Sequence, residues 1–156
     1  KFHQATVENV FHSLFSDNAI SFLERFHTSQ GDKSFYCSRW SMEEGSTTRT
    51  RCMSFEHPID YFFGPKSTNC EVVQHLQQEG DGSFSIVALQ CMPKLPLGDY
   101  FSVKMLWEVQ ACDHGASSLV KLSQLTLFSK KTVLRPAIEQ GAIQASIQSF
   151  ALWSEK

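Results

Sequence analysis

No run of the sequence approaches the roughly 20 consecutive apolar residues that a membrane-spanning helix requires. The longest apolar stretch, Phe84 to Met92, has the length of a strand and is interrupted by Ser85 and Gln90. Surplus charge is missing as well. Lys and Arg number 14 against 16 Asp and Glu, a formal net charge of −2. Nucleic-acid binders usually carry a basic balance or stripe, so no nucleic acid is expected as a partner. Cysteines at metal-ligand spacing are absent. Cys37, Cys52, Cys70, Cys91 and Cys112 are odd in number and widely spread. A chain of this size needs no disulfide staples, and these are expected to be reduced, cytosolic thiols.

Catalytic signatures are lacking too. His3, His12, His27, His57, His75 and His114 include no H-E-x-x-H and no i, i+4 pair that could seat a metal. There is no nucleophile elbow, Walker loop or dinucleotide fingerprint. The Gly80-Asp81-Gly82 stretch is explained by a hairpin turn. A Cys70–His75 nucleophile–base pair has nothing in the sequence to hold it together. The expectation is no enzyme, no metal and no cofactor.

What the sequence does have is apolar patterning. Hydrophobic residues make up 42% of 156 residues, with 13 Phe, enough for the core of one domain over residues 1–156. The chain opens at Lys1 without an initiator Met or a signal-like segment. It is read as a domain excised from a longer protein, with any membrane anchor elsewhere.

Val7, Val10, Phe11, Leu14 and Phe15 fall on one face of a helix capped by Thr6. Ala19, Phe22, Leu23 and Phe26 predict a second short helix that ends before Gly31. The period then becomes two. Strands are predicted over 34–43 and 47–56, over 70–78 and 83–92, and over 100–110 and 117–129. Short turns between them imply an antiparallel sheet. Leu134, Ile138, Ala142, Ala145, Ser149 and Leu152, widened by Ile143, Ile147 and Phe150, predict a long last helix. Pro136 is tolerable in its first turn, and Gly141 suggests a close approach.

The fold class is therefore α+β. A curved antiparallel sheet grips a long C-terminal helix, with two short N-terminal helices beside it: a helix-grip arrangement. The pattern leaves open whether sheet and helix enclose a cavity or pack solid. A cavity would be lined by Ile86, Phe101, Val103, Met105 and Trp107 opposite Ile138, Ala142 and Ile143, with Ser102 and Gln90 as polar candidates. The segment His57–Ser67 carries Ile59, Tyr61, Phe62 and Phe63 before Gly64, Pro65 and Lys66. It reads either as a lid touching an anionic membrane surface or as an aromatic plug for the domain's own core. A protein-interaction module without a bound lipid is the competing reading.

Three stretches carry a resemblance. "VFHSLFSDNAISFLERF", "FGPKSTNCEVVQHL" and "PLGDYFSVKMLWEV", followed by "IEQGAIQ" in the last helix, are similar to the VASt domain. This is the module of the Lam and Aster sterol transporters and of plant cell-death-associated proteins. The matching positions are Gly64, Pro65, Lys66 and Ser67, then Pro96, Gly98, Asp99 and Phe101. The resemblance implies a START-like fold, sterol or similar lipid as partner, and carriage between endoplasmic reticulum and plasma membrane. It also implies a GRAM domain in the parent protein. The aromatic run before Gly64 departs from the family's usual pattern and implies a differently shaped lid, and the resemblance by itself does not fix which lipid is bound.

Overall fold

The computed structural model describes residues 5–42, 44–59, 65–79 and 82–154. Helix α1, Val7–Leu14, starts where Thr6 Oγ1 accepts from Asn9 N at 3.2 Å. A single 3₁₀ turn at Asp17–Ala19 leads into α2, Ile20–Ser29. Gly31, at φ 84°, ends that helix in the left-handed region and turns the chain into the sheet.

The strands are β1 (Lys33–Cys37), β2 (Ser41–Met42), β3 (Arg49–Pro58), β4 (Ser67–Gln78), β5 (Phe84–Cys91), β6 (Phe101–Cys112) and β7 (Ser117–Phe128). They form one antiparallel sheet in the order β1-β3-β4-β5-β6-β7, with β2 also paired to β3. The last helix, α3, runs from Arg135 to Ser154. The architecture is α+β and of the helix-grip kind.

The predicted strand 34–43 is in fact broken. Between β1 and β2, Trp40 leaves the edge of the sheet and turns inward. Its backbone N–H donates to Asp17 Oδ1 at 2.9 Å, and its indole Nε1–H donates to Phe15 O at 2.8 Å. Indole and backbone donors both find partners there, which offsets the ladder bonds lost at an edge. The His57–Ser67 loop is shorter than its prolines suggest, because Pro58 and Ser67 pair as the last rung of β3–β4. Residues Tyr61 to Gly64 of the predicted lid lie outside the described residues.

Two clusters form the core. Phe84, Ile86, Leu76, Val109 and Val120 pack with Val7, Val10 and Phe15 of the N-terminal segment and with Trp153 from α3. Leu23, Met53, Phe55, Cys70, Val72 and Ala88 make the second. Helix α3 has no single apolar face; its apolar and polar residues are mixed around the axis. Ile143 is 48% and Ile147 57% exposed, and the site where a Cβ on Gly141 would sit has nothing within 4 Å. The close approach inferred at Gly141 is not there; that face of the helix points to solvent.

Candidate functional site

Strand β3 places Arg51, Met53, Phe55 and His57 on the concave side, because side chains two apart share a face. Registered against them and their neighbours are Val72 and Gln74 from β4, Gln90 from β5, and Val103, Met105 and Trp107 from β6. Leu23, Phe26 and His27 of α2 and Ala142, Ala145, Ser146 and Ser149 of α3 close the other walls. The cavity between them, partly open to solvent, is about 250 Å³. Rings stop one end of it. Phe15 meets Trp107 and Trp153 at 5.6 Å, and Trp107 meets Trp153 at 4.9 Å, all in the tilted or edge-on geometry aromatic pairs prefer.

The walls are mainly apolar, with Gln90 level with Met53 and the more strongly polar groups at the two ends of β3. At one end Asp32, its side chain 1% exposed, accepts Nδ1–H from His27 on Oδ2 and from His57 on Oδ1, both at 2.6 Å. An ionised carboxylate only accepts, so the geometry sets both imidazoles as Nδ1 donors. His27 is fixed further by stacking on Phe35 at 4.7 Å. Burial alone would push the Asp32 carboxyl up, but the bonds from His27 and His57 outweigh it and hold it below its ordinary value.

Its contribution to stability is therefore fully present above the ordinary carboxylate value of 3.8 and is lost as pH falls through the lower folded value. Asp32→Ala is expected to cost about 2 kcal/mol near neutral pH, since it strands two donors. Urea midpoints measured from pH 7 to pH 2 check this: the gap between wild type and variant should hold above pH 4 and narrow below it. A gap that does not narrow in acid contradicts the assignment.

At the other end Arg51, 2% exposed, donates Nε–H to Gln74 Oε1 at 2.7 Å and Nη1–H to Phe15 O at 3.0 Å. Its guanidinium lies 4.3 Å from the centroid of the Trp40 ring. Burial pulls its pKa down, opposed by the nearby Cys37 and Asp17; a guanidinium stays charged regardless.

Of the residues expected at a cavity, Val103, Met105, Trp107 and Ala142 line it, as does Gln90. Phe101 is buried but lies beyond its end, against Phe128 and a shallow groove under Gly98. Ile86, with no exposed surface, packs into the core beneath the aromatic stopper. Ile138 is half-buried outside the lining, Ile143 faces solvent, and Ser102 sits on the opposite face of β6. Ile59, Pro65 and Lys66 are the described parts of the predicted lid. Ile59 N donates to Lys66 O at 2.8 Å, clamping the base of that hairpin.

Cys70 and His75 stand on opposite faces of β4. Cys70 is buried, while His75 bonds Thr50 Oγ1 at 3.1 Å on an exposed surface. Burial, with the Asp32 charge adding to it, pushes the Cys70 thiol up to about 12. Among the described residues no group of three or more His, Cys, Asp or Glu is placed to hold a metal. The residues that pattern reading did not single out are Arg51, Gln74, His27, Asp32 and His57.

The profile of the family described as VAD1 Analog of StAR-related lipid transfer domain matches residues 3–145. The chain belongs to the VASt family. Protein VASCULAR ASSOCIATED DEATH 1, chloroplastic, of Arabidopsis thaliana is 34% identical over 149 residues, which covers 94% of this chain. The chain spans about a quarter of that relative's length, 25%. Membership makes the cavity that of a lipid-binding, StAR-related domain, and it gives the VASt-like Pro-x-Gly-Asp-x-Phe stretch a physical reason. A Cβ on Gly98 would lie 1.9 Å from Met92 O and 2.8 Å from Leu95 O. Only glycine fits where that connection folds back before β6.

Proposed function

We propose that this VASt domain encloses one elongated lipid of sterol type and carries it between membranes without covalent chemistry. The observation that carries this reading is the cavity, walled mainly by apolar side chains with a few polar groups among them and at the two ends of β3. Withdrawing several hundred Å² of apolar surface from water offsets on the order of 10 kcal/mol at roughly 25 cal/mol per Å². At about 250 Å³ the space is a little under the roughly 300–1,000 Å³ of small-molecule sites. Loading is therefore expected to move α3 outward. The small residues Ala142, Ala145, Ser146 and Ser149 are what α3 presents to the cavity, together with Phe150 and Trp153 at its far end.

Exchange takes place at a membrane, through the hairpin between β3 and β4. Its exposed Lys66 faces an anionic headgroup layer. The parent protein holds the domain at the endoplasmic reticulum, on the side facing the plasma membrane. In this reading His27 and His57, held by Asp32, are part of the cavity wall and Cys70 is part of the packed core; none of them carries chemistry.

A vesicle assay with dehydroergosterol tests the proposal. Transfer should be catalysed by the domain, should quicken when acceptors contain phosphatidylserine, and should lose that gain with added salt. Lys66→Glu should abolish the gain without altering affinity in solution. Absence of any saturable uptake of sterol or other lipid would sink the carrier reading. An unchanged gain in Lys66→Glu would move the membrane contact elsewhere.

A further inference from the structure

The cavity wall at Arg51 is built differently from a wall that needs only to repel water. Arg51 lies in phase with Met53 and Phe55 on the inward face of β3 and is 2% exposed, yet its partners are all neutral. They are the Gln74 side-chain oxygen, the Phe15 carbonyl and the face of Trp40. These acceptors take two of the five N–H bonds of a guanidinium. Among the described residues no carboxylate lies within 4 Å of it. The acid nearest in charge, Asp17, is engaged by the backbone N–H of Trp40 at 2.9 Å.

A buried cation whose nearest counter-charge stands beyond salt-bridge distance is costly, and a closer anion would offset that cost. Gln74, the cross-strand partner of Arg51, gives its oxygen to the guanidinium and so has its amide N–H₂ as a second donor on the same wall. The opposite end is unsuited to an anion. Asp32 stands near His57, six residues along β3, about 20 Å away at the rise of a strand. Both of its oxygens are already capped by imidazoles.

We propose that Arg51 and Gln74 form an anion-binding anchor inside the cavity, so that the lipid taken is an acidic amphiphile whose carboxylate, sulfate or phosphate head seats there. The inference rests on the lipid-carrier reading and names the head group. A sterol fits it as an acidic conjugate better than as the free alcohol. The apolar body then lies along Met53, Val72, Val103 and Met105.

Binding of matched pairs at pH 7.5 tests this: cholesteryl sulfate against cholesterol, and oleate against oleyl alcohol, with sodium sulfate as the free anion. The intact domain should favour each acid over its alcohol by about tenfold or more, as charge-assisted bonds allow. Arg51→Gln should bring the two to near parity, and Arg51→Lys should keep part of the preference. Should Arg51→Gln fail to fold, the Lys variant and the preference of the unaltered domain still decide. Equal affinity for acid and alcohol, or a preference that survives in Arg51→Gln, overturns the anchor and leaves the carrier reading standing. Sodium sulfate binding as tightly as cholesteryl sulfate overturns the lipid assignment of the head-group site. Failure of all four lipids to bind overturns both.

Discussion

Ala142→Phe is expected to abolish lipid uptake while the domain remains folded. Ala142 is one of the α3 residues that line the cavity, which Met105 and Val103 of β6 also line. A benzyl group there occupies space that the ligand needs. Because the ring enters a void rather than a filled core, it avoids most of the 1–3 kcal/mol that overpacking typically costs. The adjacent position supplies the control. Gly141 faces solvent with nothing near its would-be Cβ. Gly141→Ala should leave uptake unchanged and stabilise the helix by about 1 kcal/mol. Uptake titrations and urea unfolding of both variants check the pair. Normal uptake by Ala142→Phe, or its unfolding, would mean that α3 does not wall a cavity at that point.

Gly98→Ala should be among the most damaging single-methyl additions in the chain, costing about 3 kcal/mol or more in urea unfolding. The connection between β5 and β6 folds back in successive turns. Leu95 N donates to Met92 O at 3.0 Å, Gly98 N to Leu95 O at 2.7 Å, and Tyr100 N to Leu97 O at 2.9 Å. The added methyl would meet Met92 O and Leu95 O, backbone atoms that cannot swing aside as a side chain could. Relief requires moving the start of β6, the strand that carries Val103, Met105 and Trp107. Lipid uptake should therefore fall along with stability. A cost under about 1 kcal/mol would show that the connection yields more easily than its turns imply.

The fold was legible because its periods are clear. The alternation Phe101, Val103, Met105, Trp107 and Val109 marks the inward face of β6, and Thr6 with the following apolar spacing marks α1. The Gly98 stretch and the Gly-Pro-Lys-Ser stretch pointed to the family. The inward face of α3 was not legible. That helix spreads its apolar and polar residues almost evenly around its axis, so its pattern did not separate the cavity-facing Ala142 from the exposed Ile143 and Ile147. Small and polar residues, Ala142, Ala145, Ser146 and Ser149, mark the inner side instead.

The polar ends of the cavity were missed for different reasons. Arg51 did leave a signal, a cation in phase with Met53 and Phe55, but strand alternation alone reads such a residue as a break in the pattern. Asp32, His27 and His57 left none. Their meeting depends on Gly31 turning the chain at the end of α2 and on the length of β3, which together bring residues 25 apart within 2.6 Å.

Energy transfer from tryptophan to dehydroergosterol tests the central claim most directly, because Trp107 and Trp153 line the cavity itself. Titration of the domain should give sensitised sterol emission that saturates at one sterol per domain, and Ala142→Phe should remove it. Emission that never saturates, or that persists unchanged in Ala142→Phe, would contradict a lipid held between the sheet and α3.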